Sequence, residues 1–220
     1  MNGKPVCEIT CAEVSPLRDE ALFRRWLERM PEFRKRKILE LRHAESQRLS
    51  LGVGILLFQA MERHGLEGDG EIAEEVYGRP YLPGHPEFRF SLSHAGLWAV
   101  CAAGSVPVGC DVERSGRGQP QLVRRFFHRA EQEALAEKED PAEWDRLFTR
   151  IWTRKESYLK ATGRGLSCPM NSFSVLDPPS GVLYDEQDLA EGYAFSCCAL
   201  TDEVRFEWKT VRFPETPENG

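Results

Sequence analysis

The stretch Val108-Gly109-Cys110-Asp111-Val112-Glu113 decides how the chain divides. It reads as the core of a short strand, from about Pro107 to Glu113. Alternate residues of a strand share a face, so Asp111 and Glu113 project together. The segment also marks a join, near Val106 to Arg114. Helical pattern and then short strands precede it, and the same order follows it.

Upstream, Val6 to Val14 alternates loosely and reads as an opening strand. Leu22, Phe23, Trp26, Leu27 and Met30 share one helical face. Pro31 can open the next helix, because proline suits a first turn. A longer helix buries Leu49, Val53, Leu56, Leu57 and Met61 and ends at Gly65. Gly78 to Gly84 is turn-rich, and strand-like runs follow at Phe88 to Ser93 and Leu97 to Ala102. Downstream, helical pattern returns at about Gln119 to Phe127 and Glu131 to Glu137. The longest helix runs from about Pro141 to Thr162. Its apolar face carries Trp144, Leu147, Phe148, Ile151, Trp152 and Leu159. Gly163 and Gly165 stop it. Strands are expected at Ser172 to Leu176, Val182 to Tyr184, Tyr193 to Leu200 and Val204 to Val211, with Pro214 to Gly220 frayed. Helices and strands are segregated within each half, which makes the class α+β.

Composition bounds the function. The 220 residues suffice for one sizeable core or two small lobes. With 41 % hydrophobic and 29 % charged residues, the chain is expected to be soluble and globular. A net charge of -6 argues against bulk binding to nucleic acid, whose phosphates would repel it. The 7 cysteines are odd in number and lack C-x-x-C spacing, so they read as small buried hydrophobes rather than zinc ligands. The N-terminus has no signal-peptide run and no apolar stretch reaches membrane-span length. A reducing cytoplasm and no membrane partner are therefore expected.

Four constellations could carry chemistry. Asp111 and Glu113 offer hard oxygen ligands of the kind magnesium takes beside substrate phosphates; taken alone they also suit a solvated strand edge. Trp152, Glu156 and Lys160, spaced by four, line one helical face, where an acid and a base could hold a metal and neutralise a phosphate. An ordinary surface ion pair is the plainer reading. Phe90-Ser91-Leu92-Ser93-His94-Ala95-Gly96 ends a strand in hydroxyl, imidazole and free backbone N–H groups, a possible phosphate cradle or a simple turn. Ser93 and His94 point to opposite faces, which suits nucleophile and base poorly. Arg34, Arg36, Lys37, Arg42, Arg48 and Arg79 form a basic set, of which one to three are expected to touch a ligand, at order-of-magnitude level.

The order of these motifs is more specific than any one of them. Gly78-Arg79-Pro80-Tyr81, Phe90 to His94, Val108 to Glu113, and Trp152-Thr153-Arg154-Lys155-Glu156-Ser157-Tyr158-Leu159-Lys160 through Leu166 resemble the 4'-phosphopantetheinyl transferases. The match is to the long single-chain class and extends from about Pro31 to Val175. The resemblance implies two similar α+β subdomains forming a pseudodimer with the active site at their interface. Residues 1-106 would supply coenzyme A nucleotide contacts. Residues 107-220 would supply the magnesium ligands and the catalytic helix. It assigns Mg2+ to Asp111, Glu113 and Glu156, phosphate contacts to Lys160, and nucleotide contacts to Ser93, His94, Arg79, Arg36 and Arg48. Phe33 stands where the family carries a lysine, with Arg34 beside it as a substitute. Cys110 stands where a larger aliphatic residue is common.

The implied reaction moves the phosphopantetheine arm of coenzyme A onto a serine of an apo-carrier protein. Glu156 would act as base, directly or through water. Val123-Arg124-Arg125-Phe126-Phe127-His128 resembles the carrier-contacting helix of the family; Phe126 and Phe127 suit an interface and a core equally. The partner would be an acidic helical carrier, and the chain a monomer. Two other readings are a magnesium phosphohydrolase built on the same carboxylates and a non-catalytic module that binds coenzyme A or a carrier.

Overall fold

A computed structural model describes residues 3–66 and 72–213; the expected fraying of 214–220 lies outside them. The first set of elements is β1 (Val6–Glu13), α1 (Glu20–Glu28), α2 (Glu32–Leu39), α3 (Ala44–Arg63), β2 (Ala73–Glu74), β3 (Pro80–Tyr81), β4 (Arg89–Ala95) and β5 (Trp98–Gly104). The second is β6 (Val108–Arg114), α4 (Pro120–Phe126), α5 (Arg129–Ala136), α6 (Pro141–Thr162), β7 (Val182–Gln187), β8 (Tyr193–Leu200) and β9 (Arg205–Val211). Local chemistry fixes the helix ends. Asp19 accepts the Leu22 N–H at 2.8 Å to start α1, and Asp140 accepts the Glu143 N–H at 3.0 Å to start α6. Gly163, at φ 66°, closes α6 in the left-handed region.

The strands form two main sheets, in the orders β4-β5-β1-β9 and β6-β8-β7. One pattern occurs twice. β1 pairs antiparallel with β5, and β5 with β4; β6 pairs antiparallel with β8, and β8 with β7. In both sets a strand, then helices, then the two strands of that ladder follow in order, with the short β2–β3 pair interposed in the first set. β9 departs from the pattern by returning to lie parallel to β1, so the C-terminal strand completes the first sheet. The architecture is mixed α and β, with helices outside and sheets inside.

Period-two alternation sorts the side chains. Ala99, Cys101 and Ala103 of β5 and Phe90 of β4 face the core under α1, α2 and α3. Cys7, Ile9 and Cys11 of β1 face the other way, against Val108, Cys110 and Val112 of β6 and Phe195, Cys197 and Ala199 of β8. Six of the seven cysteines are buried, and all are free, as expected of small apolar groups. A third cluster, with Phe127, Leu135, Phe148 and Ile151, holds α4 and α5 on α6. Phe127 is fully buried and stacks on Phe148, so it belongs to this core; Phe126 remains half-buried against Trp152.

The strand expected at Ser172 to Leu176 is not one. A 3-10 turn occupies Met170–Ser172 and irregular chain follows. Side chains take the backbone groups that a ladder would need. The Lys155 ammonium donates to the carbonyls of Met170 (2.6 Å) and Phe173 (2.7 Å), and Glu131 accepts the Val175 N–H (2.8 Å).

Candidate active site

β6 is an edge strand, so one side of it lacks a ladder partner. β4, the edge of the other sheet, lies beside it and supplies hydroxyls instead. Ser91 Oγ accepts the Cys110 N–H at 3.0 Å, and Ser93 Oγ lies 3.4 Å from the Val112 nitrogen. Ser93 Oγ also donates to Asp111 Oδ1 at 2.7 Å. Two serines at period two thus fasten one set of elements to the other and place Asp111 at the seam.

From its outer face β6 presents Gly109, Asp111 and Glu113 to α6. Gly109 is what lets the helix descend. A Cβ there would overlap the Ser157 carbonyl oxygen and the Ala161 nitrogen. With that approach Lys160 Nζ reaches Asp111 Oδ1 at 2.7 Å and the Cys110 carbonyl at 3.1 Å. Asp111 is 4 % exposed, and its Oδ2 is buried with no hydrogen-bond partner among the described residues. An unpartnered carboxylate oxygen in a buried site is costly unless a ligand satisfies it.

Glu113 and Glu156 share the same electrostatic field. Both carboxyls sit above the usual range, first through desolvation and then through the charge of Asp111. Burial opposes the Lys160 charge, yet Asp111 and the neighbouring groups outweigh it and raise its pKa. His94 is exposed, on the face opposite buried Ser93. Its pKa lies below the ordinary value, through desolvation and then the charge of Lys160.

An unsatisfied carboxylate oxygen plus two neighbouring carboxyls destabilised as anions is a donor set suited to a hard divalent cation. Among the described residues, however, no three His, Cys, Asp or Glu side chains stand grouped as a ready metal cage. Two of the three carboxylates instead have cationic neighbours. Asp111 gives one oxygen to Lys160, and Glu113 lies 3.7 Å from the Arg117 guanidinium.

A cleft of about 310 Å3 opens beside these groups, lined among others by Arg79, Phe90, Leu92, Glu156 and Lys160. Arg79 is anchored there. It donates to the Ala161 carbonyl at 3.0 Å, capping α6, and pairs with Glu75 at 3.2 Å. Arg36 is exposed on α2 and Arg48 is half-buried on α3; neither lines this cleft. Arg34 does not face solvent beside Phe33. It is 9 % exposed and donates to the Ser50 carbonyl at 2.7 Å, binding α2 to α3.

Sequence reasoning passed over Gly109, although an isolated glycine in a strand signals close backbone approach. It also gave Lys155 no role. That residue is fully buried, 2.8 Å from Glu131, which is equally buried. Nothing in the sequence singled out Tyr193, whose hydroxyl accepts the Leu97 N–H at 3.3 Å.

Residues 107–208 match the model of the 4'-phosphopantetheinyl transferase superfamily. Among curated proteins, a 4'-phosphopantetheinyl transferase of Bacillus subtilis is 36 % identical over 132 residues, 60 % of this chain and 58 % of its own length. The 4'-phosphopantetheinyl transferase Sfp of Bacillus subtilis strain 168 is 31 % identical over 161 residues, 68 % of this chain and 71 % of its own length. The 4'-phosphopantetheinyl transferase gsp of Aneurinibacillus migulanus is 35 % identical over 139 residues, 58 % of this chain and 57 % of its own length. The chain therefore spans somewhat more than half of two of these relatives and over two thirds of the third. The family match covers β6 with Asp111 and Glu113, and α6, and with the relative of which it spans 71 % this chain belongs to the 4'-phosphopantetheinyl transferase superfamily.

Proposed function

We propose that this chain transfers the 4'-phosphopantetheine group of coenzyme A to a serine hydroxyl of an apo-carrier protein. The observation that carries the reading is Asp111, with Lys160 on one oxygen, nothing on the other, and Glu113 and Glu156 in its field. Family membership and the cleft beside Glu156 and Lys160 support it. Asp111, Glu113 and Glu156 would hold Mg2+. The ion, when bound, supplies positive charge against the coenzyme A pyrophosphate.

The protein's own groups do the rest. Lys160 orients and neutralises phosphate oxygens from a helix that Gly109 draws against β6. Arg79, which lines the cleft, would contact the nucleotide together with Ser93 and His94, while Arg36 and Arg48 stand outside the cleft and would have to meet the nucleotide beyond it. Glu156 would take the proton of the carrier serine, directly or through water. The serine oxygen bonds to the phosphorus that carries pantetheine. The bond from that phosphorus to the bridging oxygen breaks in line, and adenosine 3',5'-bisphosphate leaves with the electron pair.

The doubled strand order supports two similar halves, 1-106 and 107-220, arranged as a pseudodimer with β9 lent back to the first. A monomer in the cytoplasm fits this reading. Among the described residues no helix is long and apolar enough to cross a membrane. The exposed Arg124 and Arg125, with half-buried Phe126, would meet an acidic carrier helix. Mass spectrometry of a panel of apo-carriers, incubated with coenzyme A and magnesium, tests the proposal. A gain of roughly 340 Da on the carrier serine is expected. Cleavage of coenzyme A with no carrier present would favour a phosphohydrolase instead.

A further inference from the structure

We infer that Tyr193 is a positioning residue, which sets the Ser93–His94 end of β4 at its working distance from the carboxylates of β6. The inference rests on the reading of the site given above.

Tyr193 begins β8 and pairs across the ladder with Arg114, next to Glu113. Its hydroxyl leaves its own sheet and reaches the turn between β4 and β5, where it accepts the Leu97 N–H at 3.3 Å. The residue beneath is Gly96, at φ +55°, and a Cβ on it would overlap the Tyr193 hydroxyl oxygen. The turn is thus made for this phenol twice over: a left-handed backbone and no side chain at the point of contact. From the other side the Val14 N–H donates to the Leu97 carbonyl at 2.8 Å, so Leu97 is held at both of its backbone polar groups. Further along β4, Ser93 bonds Asp111 and Ser91 bonds Cys110. Those bonds fix β4 along its length, and Tyr193 fixes its end. His94 lies between the two fixings. Its reach into the site is set by where the turn is pinned. Glu156 and Lys160 stand on α6, whereas the phenol oxygen bonds the turn between β4 and β5. The inference therefore separates nucleotide binding from the chemical step.

Tyr193→Phe keeps the ring, 6.3 Å from Phe195, and removes the oxygen. The expected result is a KM for coenzyme A raised about five- to tenfold, with kcat within about twofold and Tm within about 3 °C of the parent. Gly96→Ala is expected to raise KM further, since strain and overlap add. Adding Tyr193→Phe to Gly96→Ala should recover part of that loss, which a purely local defect would not show. NMR of the imidazole C–H groups, with His94 assigned through His94→Asn, reads position without reference to activity. His94 should shift in Tyr193→Phe while the other histidines hold still. A parent protein that modifies no carrier sinks the transferase reading, and the imidazole signal still decides the fate of Tyr193. An unmoved His94 overturns the inference. So does an unchanged KM, or a change that merely follows lost stability with no recovery in the double variant.

Discussion

β1 and β6 each turn a carboxylate toward a long helix, and the two contacts end differently. On β1, Glu8 meets Arg63 of α3 at 2.6 Å, and the same guanidinium donates to Thr10 at 3.2 Å. Acid, base and hydroxyl are all satisfied. On β6, Asp111 meets Lys160 of α6 at 2.7 Å but leaves its second oxygen buried and unpartnered, and Glu113 and Glu156 add like charge nearby. A fold selected only to persist would resolve the second contact as it resolves the first. That it does not is what the proposed ligand site would require, since such a site gives up stability for a ligand.

The sharpest way to break the contrast is Glu156→Gln. Loss of the proposed general base and metal ligand should lower kcat about 10²- to 10⁴-fold, or about 3–5 kcal/mol. Metal-free stability should move the other way, with Tm rising by about 1–3 °C. The sign follows from the raised pKa. A carboxyl that is harder to ionise when folded favours the fold while protonated, and this contribution is lost as pH rises through its folded-state pKa. The parent should therefore lose stability from the carboxylate range toward neutral pH more steeply than the variant. Calorimetric melts across pH, with carrier-loading rates, check both halves; a variant that keeps its rate removes Glu156 from the chemistry.

Lys155 lies next to Glu156 but resembles the β1 contact in being fully answered. Its ammonium has Glu131 at 2.8 Å, two carbonyls, and the Phe173 ring 4.3 Å away. Lys155→Met leaves Glu131 as an unpaired buried charge and should cost about 3–5 kcal/mol of stability, measured by urea unfolding. Glu131→Gln in the same chain should recover only part, because Glu131 also accepts the N–H groups of His128 and Val175. A loss under 1 kcal/mol would place Lys155 outside the frame of the fold.

Magnesium addresses the unsatisfied side directly. At a concentration about a hundred times its dissociation constant, a ligand of the folded state adds about 2.7 kcal/mol. For a chain of this size that corresponds to a Tm rise of about 5–10 °C. The rise should disappear in Asp111→Asn and on chelation. An equal rise in Asp111→Asn would place the ion elsewhere.

Much of this contrast could be read in the sequence, and the unread part has a common cause. The order of elements, the long helix that Gly163 ends, and the shared faces of Asp111 with Glu113 and of Glu156 with Lys160 all follow from period and caps. What failed was whatever depends on partners far along the chain. Residues 172 to 176 alternate as a strand would, but Lys155 and Glu131 claim their backbone groups. Phe127 reads equally as interface or core until Phe148 stacks on it. Arg34 reads as a candidate phosphate contact and substitute for the family lysine until Ser50 takes it inward. Periodicity tells which face a residue occupies and is silent on what that face meets.

The smallest expected effect tests the satisfied side. Arg63→Met removes the ion pair to Glu8 and the bond to Thr10, but both partners of the pair reach solvent, with side chains 35 % and 22 % exposed. Water can replace much of what is lost, so the change in stability should be about 0.5–1 kcal/mol, and smaller in high salt. Transfer kinetics should not change, because Arg63 ends α3 on the far side of the first sheet from β6. If Arg63→Met instead lowered kcat as Glu156→Gln is expected to, the two strand–helix contacts would be coupled through the sheets. The division into one contact that holds the fold and another that serves the ligand would then be wrong.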